Sequence, residues 1–209
     1  HGRRDRAVGS NVARRGDEHA ALQSLAALAS AWSAKLGAFG VFGNHDSVDF
    51  ANAAKARKDI PIQWLVNENC DVGTNLRIVG ASYPEDVLAA VGKKATVPGR
   101  LSLAISHYPT EIFSAAELGL PLLFCGHTHG GQFRINKNLI PHTSCDLPGS
   151  KASGLLRLKG TICAISRGLG TALFQFRVNC PSQIPLYILR RGPLPSVQDP
   201  LRVEQTRAW

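Results

Sequence analysis

Apolar and polar positions alternate between helical and strand-like spacing over the first two thirds of the chain. Asp17 is a good N-cap, and the apolar residues after it recur at the spacing of an amphipathic helix over 18–36. Further helices are predicted at 47–58, 85–91 and 111–118. Short apolar runs between them predict strands at 38–42, 63–66, 76–81, 101–105 and 120–125. Alternating strands and helices are typical of an α/β fold.

The last third of the chain has a different pattern. Strand-like runs at 132–135, 154–158, 161–166 and 184–189 are separated by turn residues, with no helical pattern between them. Residues 1–16 are rich in arginine and give no periodic signal, so we interpret them as an irregular segment or the remnant of a strand. Residues 190–209 are interpreted as a tail. The simplest prediction is one domain over residues 1–209.

Composition and charge limit the classes of function. A hydrophobic fraction of 44% and a charged fraction of 19% are those of a folded globular domain. The net charge of +9 favours an anionic partner: a phosphorylated substrate, nucleic acid or an acidic membrane surface. Part of the basic excess lies at the two ends, where basic runs are usually solvated tails. Nucleic acid is disfavoured, because no ribbon of basic and aromatic residues is present. The five cysteines have no CxxC spacing, which argues against a thiolate zinc site.

Three of the predicted strands run into polar segments that carry metal-ligand side chains. These segments are Gly43-Asn44-His45-Asp46, Ser106-His107-Tyr108-Pro109 and Gly126-His127-Thr128-His129-Gly130-Gly131-Gln132. Sites in α/β folds form where loops leave the carboxyl ends of strands, so we expect the three loops to converge. An amide oxygen and neutral imidazoles suit Zn, Mn or Fe. An isolated His-x-His can also be two surface histidines, but three such strand ends make chance placement a poor explanation.

The three motifs resemble the calcineurin-like metallophosphoesterase family, whose pattern runs D-x-H, G-D, G-N-H-D/E, a lone His and G-H-x-H. Residues 166–171 and 179–181 are similar to the bacterial branch that includes cell-envelope and membrane-associated phosphodiesterases, and the resemblance covers about 38–190. It implies a four-layer α-β-β-α sandwich with a dinuclear metal centre. It also implies hydrolysis of phosphomonoesters or phosphodiesters of small or lipid-like molecules, with peripheral membrane contact.

The resemblance also implies a role for each matching residue. It makes Asn44, His107 and His127 ligands of one metal and His129 a ligand of the other, with Mn, Zn or Fe as the ions. His45 would stabilise the transition state and protonate the leaving oxygen, and Asp46 would orient it. Chemistry agrees with these roles, because a metal lowers the pKa of bound water to about 7 and an unperturbed imidazole titrates at about 6.5.

The N-terminal part of the family pattern has no clear match. No D-x-H precedes the helix predicted from Glu18, and spacing places Ser10 where the family has its bridging aspartate. Gly16-Asp17 is a competing match, although no apolar strand precedes it and Asp17 is better explained as a helix cap. One metal position therefore keeps three ligands, while the other keeps His129 alone.

Two interpretations of this gap stay open. The chain is an N-terminally incomplete copy of a two-metal enzyme, lacking its first strand, or a divergent member. The divergent member would hold one ion or bind metal or phosphate without turnover. The chain has no methionine and begins with His1, which favours incompleteness, although a processed protein would also lack methionine.

Overall fold

The computed structural model describes residues 15–83, 87–136, 139–172, 174–190 and 192. The chain divides into two compact units. The smaller comprises residues 1–38 and 46–63, and the larger comprises 39–45 and 64–209. The predicted irregular segment with Ser10 and most of the predicted tail lie outside the described residues. The prediction of one domain over the whole chain stays a prediction.

Two helices form the described part of the smaller unit, α1 (Arg15–Ser30) and α2 (Val48–Ala56). Helix α2 begins at an N-cap, Ser47, whose Oγ accepts a hydrogen bond of 2.9 Å from the Phe50 N–H and donates one of 2.7 Å to Glu18 Oε1. The prediction of Asp17 as an N-cap was wrong, because α1 already begins at Arg15. Asp17 is the third residue of this helix.

Helix α1 is shorter than predicted and ends at Ser30. Its last turn tightens, because the N–H groups of Ala31 and Trp32 donate to carbonyls three residues back, at 3.3 and 3.0 Å. Trp32 and Leu36 are 44% and 64% exposed, so burial does not favour continuing the helix through them. Trp32 and Leu36 continue the helical spacing of apolar residues, but this spacing did not predict their burial correctly.

The larger unit is built on a mixed sheet. The strands of the chain are β1 (Ala38–Gly40), β2 (Ile62–Trp64), β3 (Glu68–Val72), β4 (Leu76–Ala81), β5 (Leu101–Ser106), β6 (Leu122–Cys125), β7 (Gly154–Leu158) and β8 (Thr161–Ile165). β1 and β2 form a two-stranded sheet, and the rest form a six-stranded sheet in the order β3-β4-β5-β6-β8-β7. β4, β5, β6 and β8 are parallel, with antiparallel strands at both edges. With helices α3 (Leu88–Val91) and α4 (Ile112–Glu117), the protein is α/β, as predicted. No helix in the described ranges has the length and apolar character to cross a membrane.

Side chains of the central strands alternate between two apolar clusters. Val79 and Ala104 belong to a buried cluster that includes residues of α3 and α4. Ile78 and Leu103 belong to a second cluster on Leu65. This is the period of two expected for strands that are buried on both faces. Gly80 permits the second contact, because a Cβ at this position would lie 2.1 Å from Leu65 Cβ.

The sequence did not predict strand β3, because its residues are mostly polar. It lies at the edge of the sheet and pairs antiparallel with β4. Asp71 on β3 forms ion pairs of 2.6 Å with Arg77 and with Arg100, and these hydrogen bonds hold the pKa of its carboxyl far below the usual range. Pairing and cross-strand charge therefore define this strand in place of an apolar pattern.

Two predicted strands, 132–135 and 184–189, are wrong. Gln132 has a φ of 52°, and its neighbour Phe133 forms only an isolated bridge with Val178. In 184–189 the apolar side chains of Ile184 and Leu186 are 72% and 87% exposed, and the segment is not a strand of either sheet. A segment with alternating apolar residues forms a strand only where a neighbouring strand can form backbone hydrogen bonds with it.

We expect Leu123→Ala to lower the free energy of unfolding by about 2–5 kcal/mol, because Leu123 is fully buried on the central strand β6. Leu101→Ala, on a residue of β5 that is 43% exposed, is the matched control and should cost about 1 kcal/mol or less. Urea unfolding followed by circular dichroism measures both. Equal losses in the two variants would contradict the assignment of the core.

Candidate functional site

Parallel pairing brings the carboxyl ends of several strands to one edge of the sheet. β5 ends at Ser106, directly before His107, and β6 ends at Cys125, directly before the loop 126–132. β5 and β6 pair in parallel, and the Gly126 N–H donates a hydrogen bond of 3.3 Å to the His107 carbonyl. The strand-end loops that carry His107 and His127 are therefore neighbours, at the place where α/β proteins form their sites.

A third segment reaches this edge through Ser82, which follows the carboxyl end of β4. The Phe42 N–H donates to Ser82 Oγ at 3.1 Å, and Ser82 Oγ donates to the Leu65 carbonyl at 3.0 Å. The Phe42 ring stacks on Trp64 with centroids 4.4 Å apart. These contacts hold the segment 39–45, which includes Asn44, against the end of β4.

Three predicted ligand side chains meet at one point. His107 Nε2 lies 2.8 Å from Asn44 Oδ1 and 2.9 Å from His127 Nδ1. The two imidazole rings are 4.7 Å apart at an interplanar angle of 72°. Three atoms from three separate strand ends, two ring nitrogens and one amide oxygen, thus converge within hydrogen-bond distance.

Backbone carbonyls define the tautomers of the two loop histidines. His127 Nε2 lies 2.7 Å from the Ser144 carbonyl, and His129 Nδ1 lies 3.2 Å from the Gly170 carbonyl. Because a carbonyl can only accept, each of these nitrogens carries the proton. The lone pairs remain on Nδ1 of His127 and Nε2 of His129, which is the arrangement that metal-binding histidines use.

The loop that carries both histidines has an uncommon backbone conformation. φ is positive at 67° for His127 and 50° for His129, and it is also positive at Gly130, Gly131 and Gln132. Thr128 lies between the two histidines. Its Oγ1 donates a hydrogen bond of 2.6 Å to the Ala152 carbonyl and accepts one of 3.1 Å from the Gly130 N–H. A strained conformation persists only where the surroundings hold it, and such residues cluster at functional sites.

The segment after β8 is attached to this loop by two side chains. Arg177 donates 2.8 Å to the carbonyl of His129 and 2.8 Å to the carbonyl of Arg167. Gln132, which is 4% exposed, donates to three carbonyls between 172 and 176 and accepts from the Ala172 N–H at 2.7 Å. The loop and the segment therefore form one hydrogen-bonded body around His129.

The histidines share one electrostatic environment. The pKa of His107 is lowered to about 4, mostly by burial and then, in decreasing order, by the positive charges of His127, His129 and His45. Burial also lowers the pKa of His129, opposed by its bond to the Gly170 carbonyl and aided by the charge of Arg177. At neutral pH, His107 is therefore neutral and able to act as a ligand.

The predicted site residues thus fall into three groups. Asn44, His107 and His127 are in contact, while His129 and His45 lie close enough for their charges to act on His107. Asp46 belongs to the smaller unit. Counting only His, Cys, Asp and Glu, no set of three or more side chains in the described part of the chain is placed to hold a metal. The contact group, Asn44, His107 and His127, contains two histidines, and its third member is the amide of Asn44.

A cleft of about 390 Å³ lies beside the contact group. It is lined by residues between Ile140 and Gly149, among them Ser144, whose carbonyl contacts His127. His142 and Asp146 also line it and supply polar groups. A small molecule bound in this cleft would lie next to the imidazole of His127.

Several residues of the site were missed by sequence reasoning. Tyr108, which is 9% exposed, packs its ring 4.6 Å from that of His127, and Ser82 and Ser144 hold the loops by hydrogen bonds. No ligand-type motif marks these residues. Arg167 had a usable signal, because it comes two residues after the apolar run that forms β8.

Comparison with protein-family models, with curated proteins and with solved structures found no match to this chain. The resemblance to metallophosphoesterases therefore rests on the motifs quoted above.

We expect Gly43→Ala to displace His107, because a Cβ at Gly43 would lie 2.5 Å from Cε1 and 2.6 Å from Nδ1 of its ring. Zinc affinity, measured by calorimetric titration, should fall about tenfold or more, as for other changes that misorient a ligand. Gly160→Ala is the control, because a Cβ there has no heavy atom within 4 Å. Unchanged affinity in the Gly43 variant would remove His107 from the ligand set.

In protein without metal, His107 should titrate with a pKa of about 4, against 6.5 for its ordinary value. The folded state then binds fewer protons than the unfolded state between these pH values. The stability that neutral His107 contributes is therefore present above pH 6.5 and is lost as the pH falls towards 4, by up to about 1.4 kcal/mol per pH unit. Two-dimensional NMR of the histidine ring protons measures the pKa, and titration near 6.5 would contradict the burial of this ring.

Proposed function

We propose that the protein is a metal-dependent phosphoester hydrolase of the calcineurin-like type. The observation that carries this proposal is the meeting of Asn44 Oδ1, His107 Nε2 and His127 Nδ1 within 2.9 Å contacts. These atoms come from three strand ends whose motifs are far apart in sequence. Two imidazoles and an amide oxygen held this close together form a donor set that one cation can bind in place of the hydrogen bonds between them.

The donor set fits a divalent metal. One amide oxygen and two neutral imidazoles suit Zn, Mn or Fe, and three protein ligands leave the open position that a catalytic zinc-type site requires. A cation held there would lower the pKa of a bound water and polarise a phosphoryl oxygen. His129 keeps its Nε2 lone pair free for a second ion, as the resemblance implies.

The remaining residues would act on the proton and on the geometry. His45 is exposed and its charge acts on both His107 and His129, which supports the proposal that its ring donates a proton to the leaving oxygen of a bound ester. Ser144 and Gly170, through their carbonyls, keep the two loop imidazoles in the required tautomers. Orientation of His45 by Asp46 is part of the proposal.

The fold proposed with this function is the four-layer α-β-β-α sandwich. In its support, one face of the six-stranded sheet packs on α3 and α4, while the other packs on Leu65, Phe39 and Val41. These three residues belong to or adjoin β1 and β2, which would be part of the second β-layer. The proposal is a single domain of this type that lacks the first strand of the sandwich.

The substrate proposed is a phosphorylated small or lipid-like molecule. A net charge of +9 favours an anionic ligand, and the cleft beside His127 has a volume, about 390 Å³, that suits the group attached to a phosphate. Peripheral contact with a membrane is proposed on the resemblance alone.

A second function, binding of metal or phosphate without turnover, is favoured by one observation. Among the described residues, no set of three or more His, Cys, Asp or Glu side chains is placed to hold a cation, so His129 has no complete ligand set for a second ion. A chain that holds one ion would lack the clamp that two ions provide for in-line displacement.

We expect the full chain, incubated with Mn²⁺, Zn²⁺ or Fe²⁺, to hydrolyse bis-p-nitrophenyl phosphate or p-nitrophenyl phosphate. His45→Asn should lower kcat by about 10²–10⁴-fold while metal content, measured by emission spectrometry, stays as in the wild type. His19→Asn, on the exposed face of α1, is the control and should keep full activity.

Two results would count against hydrolysis. Metal-free protein that stays inactive with all three ions excludes the proposal for this chain. About one bound ion per chain without turnover selects the second function instead.

A further inference from the structure

A fourth strand end at the same edge of the sheet carries a cation. β8 ends at Ile165 and pairs in parallel with β6, so Arg167 leaves the sheet at the edge where the loop 126–132 begins. The histidine motifs did not include this residue. By the topology of the sheet, Arg167 is a neighbour of the candidate metal centre.

The stem of Arg167 lies directly against the histidine loop. A Cβ built on Gly130 would lie 2.5 Å from Arg167 Cγ and 2.9 Å from its Cδ. Because residue 130 is a glycine, the loop has no side chain there that would push Arg167 away. Gly130, next to His129, is what allows this close approach.

The Nε–H of the Arg167 guanidinium has no acceptor in the described part of the chain. Its Nε is buried without a hydrogen-bond partner, and the ion pairs among the described residues involve Asp59 and Asp71, on other arginines. A buried donor on a charged group costs free energy when it is left unsatisfied. The state in which this group is satisfied therefore includes an acceptor that the described chain does not supply.

The surroundings of Arg167 are cationic. Burial lowers the pKa of its guanidinium, and the charges of Arg134 and Arg177 lower it further, against an opposing effect of Cys180. Arg134 and Arg177 are themselves bound to carbonyls of the loop, Gly130 at 2.7 Å and His129 at 2.8 Å. Three guanidinium groups therefore lie around one loop, and the acceptors that Arg134 and Arg177 contact there are neutral, which favours an anion nearby.

We propose that Arg167 binds a phosphate group of the ligand, which makes this strand end an anion subsite beside His129. A phosphate offers several oxygens to the planar fork of a guanidinium, and a negative charge offsets the mutual repulsion of the three arginines. The proposal rests on the proposed function for the origin of the phosphate, as part of a substrate. Binding of the anion itself does not require turnover.

The test is binding of inorganic phosphate and of methylenediphosphonate to the purified full chain, without added metal, by calorimetry at low ionic strength. Arg167→Gln should weaken binding of phosphate about tenfold or more, the effect expected for loss of a charged hydrogen bond. Arg157→Gln is the matched control and should stay within about twofold of the wild type. Arg157 lies on β7, paired with Ile162 near the start of β8, and donates to the Lys159 carbonyl. The diphosphonate is compared directly with phosphate in the same titrations. If it binds more tightly than phosphate, and this gain in affinity is lost in Arg167→Gln, then Arg167 binds a second phosphate of the ligand and not the reacting one.

A measurement on the wild type covers the case in which Arg167→Gln does not fold. The Nε–H resonance of Arg167, assigned through its backbone, should shift on titration with phosphate. Absence of phosphate binding, a resonance that does not move, or equal affinity in a folded Arg167→Gln variant would each overturn the proposal. If the protein does not hydrolyse phosphoesters but its binding of phosphate still depends on Arg167, the proposed function is wrong and the anion subsite stands.

Discussion

One ring nitrogen joins the parts of this site that come from distant positions in the chain. His107 Nε2 contacts Asn44 Oδ1 at 2.8 Å and His127 Nδ1 at 2.9 Å, and each atom depends on a different strand end. The contacts exist because β4, β5 and β6 run in parallel, so that their carboxyl ends lie at one edge. A sheet with alternating directions would send these residues to opposite edges.

The loop 126–132 has an energetic cost that its neighbours offset. His127, His129 and Gln132 each adopt a positive φ, which costs about 1–3 kcal/mol for a side-chain-bearing residue. Hydrogen bonds from Thr128 to the Ala152 carbonyl, and from Arg177 to the His129 carbonyl, hold the conformation from outside. The same bonds attach the segment after β8, so the histidines and Arg167 share one support. This shared support makes it reasonable that a ligand contacts both.

Charge gives the site its chemical preference. The ionisable groups that act on His107 are three other imidazoles, and those beside His129 include the cation of Arg177. Neutral imidazoles and an amide oxygen can hold a cation, while the arginines around the loop favour an anion. A metal and a phosphate together would satisfy both groups, and each would neutralise part of the charge of the other. This complementarity is the physical basis for proposing phosphoester chemistry.

Local pattern predicted a large part of the fold. Strands β4 and β7 have the predicted bounds, and eight other strands and helices differ by a few residues at their ends, because spacing of apolar residues reports which side chains are buried. The same spacing failed for the end of α1, for the edge strand β3 and for 184–189, where burial or a partner strand decides. The ligand-type motifs pointed to Asn44, His107 and His127, since their residue types and strand-end positions are visible in the chain.

The sequence by itself determined the α/β class, the candidate ligands and the prediction that three strand ends would meet. The tertiary structure decided which of them are in contact, the tautomers of His127 and His129, and the place of Arg167 against Gly130. It also decided the role of Ser82, which reaches Phe42 across forty positions of the chain. The reason is that these features depend on atoms brought together by strand pairing, and no local spacing records the distance between residues on different strands.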